Sequence, residues 1–179
     1  MQVYTLVMAG ALVMAMAPVP QPAVDANPIS QALKKAWDDA KGNMQASADQ
    51  MPETDYAFKP VEQVRTFGQI LAHVAGASYV FCSAARGTKS PFTEDHFEKN
   101  ATTKAAIVKA LSDSIAYCDV AYGGLTDRKA AESVAMPFGM NDAPRASALM
   151  GNTGHLQEHY GNLVTYFRIK GMVPPSSRR

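Results

Sequence analysis

An excess of either charge is missing from this chain. Its 179 residues hold 17 Lys and Arg against 16 Asp and Glu, a formal charge of +1. No basic stripe breaks that balance, and the one basic cluster is Arg178-Arg179 at the C-terminus. Nucleic acid is thereby excluded as a partner, and nothing draws the chain to an anionic membrane surface. Also missing are a strand-period segment, an internal repeat, a Gly-rich phosphate loop, and any Ser-His-Asp or catalytic-cysteine arrangement. These absences remove β architecture, nucleotide chemistry and acyl-enzyme chemistry. Val134 to Gly139 is the nearest approach to an extended piece, and Pro137 and Gly139 turn it into a loop. Cysteine and histidine are scarce, at two and four residues.

What is present begins with an apolar, uncharged run from Val3 to Ala17, followed by Pro18, Pro20 and Pro22. The run is shorter than the roughly 20 residues that span a bilayer. It reads as the core of a secretory signal, although Met1-Gln2-Val3-Tyr4 carries no base. Small residues at Val24-Asp25-Ala26 place the cut before Asn27. Residues 1–26 are therefore assigned to a signal peptide, 27–176 to one domain and 177–179 to a tail. Processing removes Asp25 alone, leaving 17 basic against 15 acidic residues, a charge of +2, and no stable membrane span. The expected location is periplasmic or secreted. Export would put Cys82 and Cys118 in an oxidising compartment, where a single pairing exists; buried free thiols are the alternative.

Four helices are expected. The first runs from Pro28 to Gln50, with Asn27 as N-cap, Pro28 at the first position and Pro52 as stop. Its apolar stripe is Ile29, Leu33, Trp37, Ala40, Met44, Ala48 and Met51. The second starts at the capping box Thr66-Phe67-Gly68-Gln69 and ends at Gly87, and its apolar surface is broad. The third spans Thr103 to Gly123, with Ile107, Leu111, Ile115, Cys118, Tyr122 and Leu125 inward. The fourth runs from near Pro144 to Gly171. Within it Gly151 and Gly154 each cost about 1 kcal/mol relative to Ala, which suits close packing or room for something bound. Met136, Phe138 and Met140 in the third connection either line an opening or fill the core.

The chemistry concentrates in His155-Leu156-Gln157-Glu158-His159. Imidazoles four apart on a helix lie about 6 Å apart on one face and can reach a single ion. The same letters match His-x-x-Glu-His, but only 20 residues follow His159, too few for the downstream ligand of such peptidases. The third ligand must lie upstream, and His73, inside Ile70-Leu71-Ala72-His73-Val74-Ala75-Gly76-Ala77, is the candidate. A divalent ion such as Zn²⁺ or Ni²⁺ held by three histidines keeps positions open for substrate. Glu158, about 100° off the histidine face, is a weak catalytic candidate suited to orienting a histidine. Asn162 and Tyr166 extend that face as substrate-lining candidates. His96, beside Glu94, Asp95 and Glu98, is expected to be solvated.

Together, Gln69-Ile70-Leu71-Ala72-His73, the later His155-x-x-x-His159 and the closing stretch His159 to Gly171 resemble the DinB-like superfamily of metal-binding helical bundles. The resemblance covers roughly Pro28 to Ser176. It implies an all-α four-helix bundle of up-down-down-up topology, with the three histidines as metal ligands. Its studied members include thiol-dependent transferases and isomerases, from which a signal-like N-terminus departs. The implied topology sets helices two and three parallel. Cys82 and Cys118 each lie about fifteen residues into their helices, roughly 22 Å along, so the resemblance implies a Cys82–Cys118 disulfide. The functional expectation is a metal-dependent hydrolase or transferase of a small molecule; the alternative is a non-catalytic metal- or ligand-binding bundle. A homodimer is compatible with either.

Overall fold

A computed structural model describes residues 26–178; the signal-peptide assignment, apart from Ala26, lies outside them. Four long helices dominate: α1 (Pro28–Gln50), α2 (Phe67–Arg86), α4 (Lys104–Gly123) and α6 (Arg145–Ile169). Two short helices, α3 (His96–Asn100) and α5 (Asp127–Ala130), lie in the connections. The expected boundaries hold, and at both ends of α2 and the end of α6 the terminal signals act as read. Thr66 Oγ1 accepts from the Gln69 N–H while Gln69 Oε1 accepts from the Thr66 N–H. Gly87 and Gly171 end α2 and α6 at φ +68° and +71°.

Neighbouring contacts fix the helix directions. Gly68, near the start of α2, packs on Ile107 near the start of α4, and Cys82 near the end of α2 is disulfide-bonded to Cys118 of α4. These two helices are therefore parallel. Phe67 meets Phe167 while Phe81 sits on Gly151, so α6 runs against α2. Trp37 stacks on Tyr122 at 4.6 Å and the Lys104 ammonium donates to the Met51 carbonyl at 2.8 Å, so α1 runs against α4. The order is up-down-down-up. The two cysteines sit at one level, Cα–Cα 5.4 Å, with neither side chain exposed.

The core lies along the bundle axis, and α2 is its central element. By length and mean hydropathy α2 could cross a membrane, yet 83% of its apolar window is buried by the other helices, as befits a core helix. Ile107, Leu111, Ile115, Cys118 and Tyr122 of α4 are buried, with Leu125 half-buried beyond them.

Two expectations for α1 are corrected. Ile29 is 64% exposed, and Ser30 faces inward instead. Two four-residue steps carry Ile29 about 80° around the helix from Trp37, whereas Ser30 lies about 20° from it. Asn27 does not cap its own helix through its side chain. The Asp127 carboxylate accepts from the Ile29 and Ser30 N–H groups at 3.2 and 2.7 Å, and Asn27 Oδ1 accepts from the Asp127 N–H. A carboxylate at a helix N-terminus answers both the orphan donors and the dipole.

The third connection is also more ordered than a loop. β1 (Ser133–Val134) pairs antiparallel with β2 (Ala143–Pro144), closing a lobe that carries Met136, Phe138 and Met140. Arg145 fastens this lobe: its N–H donates to the Glu132 carbonyl, and its guanidinium reaches the Glu132 carboxylate and the Ala85 carbonyl. Phe138 and Met140 are about half exposed, and Met136 packs on the core.

Candidate metal centre

His73 lies in the middle of α2 where that helix faces α6, and His155 and His159 look back at it from consecutive turns. His73 Nε2 is 3.0 Å from His155 Nε2, which is 3.1 Å from His159 Nε2. One nitrogen from each ring falls within 4.8 Å of the other two. His73 and His159 are buried, at 5% and 8% exposure, and His155 is half-buried.

Burial holds all three imidazoles below their usual pKa. For His155 the charges of His159, His73 and Arg65 add to burial and push it down to about 3. His73 is lowered by burial and then by Arg65 and His159, against a raising influence of Glu98. His159 is lowered by burial and Arg65, with Glu158 and Glu98 opposing. Neutral rings at pH 7 offer nitrogen lone pairs, the form that binds metal.

The donor set fits a divalent ion. Tetrahedral zinc at 2.0–2.1 Å from each nitrogen sets them about 3.3 Å apart, a few tenths of an ångström wider than the two separations from His155. Each Nε2 is free to face an ion when its ring carries the proton on Nδ1. The Glu98 carboxylate is 3.0 Å from His73 Nδ1, off the ring N–H direction and so not an aligned hydrogen bond. Its charge favours a proton there. The Asn162 amide is 3.4 Å from His159 Nδ1 and can present its oxygen to an N–H by a half-turn.

The DinB superfamily sequence profile matches residues 36–163, well over half of the chain. The chain belongs to the DinB superfamily. Solved structures share its fold. A DinB-like protein from Bacillus cereus ATCC 10987 superposes with a TM-score of 0.64 at 18% identity, covering 81% of this chain and 95% of that one. A conserved protein from Enterococcus faecalis gives 0.60 at 13%, covering 76% and 94%. The mycothiol-dependent maleylpyruvate isomerase gives 0.63 at 13%, covering 75% of this chain but 60% of the isomerase, so this chain spans less than two thirds of that enzyme. No curated protein matches.

Around the DinB triad the other sequence-predicted residues divide. Tyr166 is buried, donates to the Arg65 carbonyl at 2.7 Å and packs edge-on against Phe58. Asn162 is exposed next to His159. Both border a cavity of about 740 Å³ that His159 also lines. Glu158 is exposed and acts on His159 through its charge. Phe81 lies 6.0 Å from His155, with Phe138 in an edge contact at 5.4 Å. Phe138 is a bulky residue at φ +60°, a strained conformation. Gly151 seats Phe81, where a Cβ would come within 3.0 Å of its ring, whereas nothing approaches Gly154. His96 stays outside the cluster and is not solvated as expected: it is half-buried with its ring 4.6 Å from Phe92.

Sequence reasoning missed Glu98, Glu94 and Arg65. Glu98 joins His73 to Arg65, whose Nε and Nη2 donate to the Glu98 carboxylate at 2.9 and 3.3 Å. Glu94 Oε1 is 3.5 Å from His73 Nε2. The signal was Gly76. A Cβ there would lie 2.0 Å from the Glu94 carbonyl oxygen, so only glycine lets the crossover rest on α2 and bring these carboxylates to His73.

Proposed function

We propose that this DinB-superfamily protein is a metal-dependent enzyme acting on a small molecule, a hydrolase or transferase, with His73, His155 and His159 as ligands of one divalent ion. The observation that carries the reading is the convergence of three imidazole nitrogens, two of the rings buried and one half-buried, beside a cavity of about 740 Å³. Zn²⁺, Ni²⁺ or a similar ion would supply Lewis acidity, polarising a substrate oxygen or sulfur. The protein supplies the rest: burial keeps the imidazoles neutral, Glu98 favours one tautomer of His73, and the cavity admits a ligand at the His159 side.

The isomerase named above depends on mycothiol, and its reaction is one precedent for chemistry on this fold. A different setting is favoured here. Cys82 and Cys118 are paired in the core, and such disulfides belong to oxidising compartments. We infer that the protein is exported and works without a small-thiol co-substrate, which cells keep reduced mainly inside.

Two measurements test the proposal. Elemental analysis after mild purification should find stoichiometric metal in the wild type and none in a His155→Ala/His159→Ala variant. A screen of esters and small electrophiles should find turnover that His73→Ala abolishes. Metal without turnover would leave a non-catalytic metal-binding bundle, and a wild type without metal would sink the proposal.

A further inference from the structure

The cavity beside His159 contains a cation with unused donors. Arg65 stands just ahead of the α2 cap, its carbonyl fixed by the Tyr166 hydroxyl at 2.7 Å. Its guanidinium presents the Nε/Nη2 edge to Glu98. Of five N–H donors, the two on Nη1 and one on Nη2 have no acceptor among the described residues. The side chain is 43% exposed, and it lines the cavity together with Lys59, Gln63, His159 and Asn162. Lys59 is held differently, in an ion pair with Glu62 at 2.6 Å. Glu98, which Arg65 holds, stands 3.0 Å from His73 Nδ1, so one carboxylate separates the guanidinium from the triad.

We propose that Arg65 anchors the carboxylate of a small organic acid in this cavity, directing the other end of the ligand to the three histidines. The free edge of a guanidinium already paired on its side is the shape that takes a second carboxylate through two parallel N–H···O bonds. Gln63 and Asn162 add neutral amides for a carbonyl or hydroxyl further along. The volume, about 740 Å³, lies in the range of small-molecule sites. What happens at the far end rests on the metal reading; the anchoring does not.

The test is calorimetric titration of the full chain, zinc-loaded with zinc content measured, using succinate and its neutral isostere succinamide. Succinate should bind at least tenfold more tightly than succinamide. Arg65→Gln should cut that preference at least fivefold, Arg65→Lys should cut it less as a point charge, and Lys59→Gln should alter it less than twofold. Equal binding of the two probes, or a preference unchanged in Arg65→Gln, overturns the anchor. Should Arg65→Gln fail to fold, the decision falls to Arg65→Lys, where an undiminished preference overturns it. Repeating the titration after chelation separates the two readings. Zinc uptake with no preference for succinate removes the anchor and leaves the metal site. Arg65-dependent preference in a chain that takes up no zinc does the reverse.

Discussion

Glu98 and His73 are the pair on which the centre turns. Glu98 is only 17% exposed, is tied to Arg65, and stands at the ring nitrogen that does not face the other histidines. Removing such a carboxylate typically lowers metal affinity 10–100-fold. Glu98→Ala should fall in that range in a chelator competition, with Glu98→Gln falling less; unchanged affinity in both would leave Glu98 a structural partner of Arg65 alone. The histidines also set a pH dependence in metal-free protein. Their folded pKa values lie below the usual 6.5, to about 3 for His155. As pH falls below 6.5 the unfolded chain therefore takes up protons that the folded chain refuses, and stability declines towards the folded values. In excess chelator, urea midpoints should drop between pH 7 and pH 4 more steeply for the wild type than for His155→Asn. Parallel slopes would contradict the assignment. Two of these features differ in how they could be read beforehand. His155 and His159 were legible because one helix fixes their relation through spacing alone. Glu98 was not, because its place depends on a chain reversal, and Gly76 marks only that backbone rests on α2, not which residues it brings.

At the scale of elements, the crossover just ahead of α3 rests on α2 at Gly76 more tightly than anything rests on the other described glycines. A methyl on Gly76 would lie 2.0 Å from the Glu94 carbonyl oxygen and 2.7 Å from its carbon, both backbone atoms. Overpacking of this kind costs about 1–3 kcal/mol, and relief requires the Glu94–Glu98 segment to lift. Gly76→Ala should therefore lower the thermal midpoint and weaken metal binding together. Loss of stability with metal affinity intact would show that the crossover does not support His73. The long helices were legible from period and punctuation: the capping box at Thr66, Gly87 and Gly171 behaved as read. The end of α1 was not, since Asp127, remote in sequence, displaced the obvious local cap at Asn27 and Ser30 displaced Ile29. The short pair β1–β2 and the helix α3 escaped for a simpler reason. Elements of two to five residues have too few turns or alternations to show a period.

Across the whole molecule α2 is held on two sides by different chemistry. The disulfide ties it to α4, and on the other side His73 meets the two histidines of α6. Closing a loop across 36 positions restricts the unfolded chain by about 4 kcal/mol in the entropic account. Replacing both cysteines by alanine should lower urea stability by about 2–4 kcal/mol with the m-value little changed. A negligible drop would mean that packing alone holds α2 to α4. Added zinc should raise the midpoint of either form by mass action, which separates the contribution of the ion from that of the bond.

That bond also encloses the whole α2–α4 crossover, including the stretch that rests on Gly76. Were a protease to sever the backbone between residues 88 and 102, the halves would remain a single covalent particle until a reductant arrived. The segment that brings Glu94 and Glu98 to His73 is thus one that this protein can have nicked without shedding a fragment.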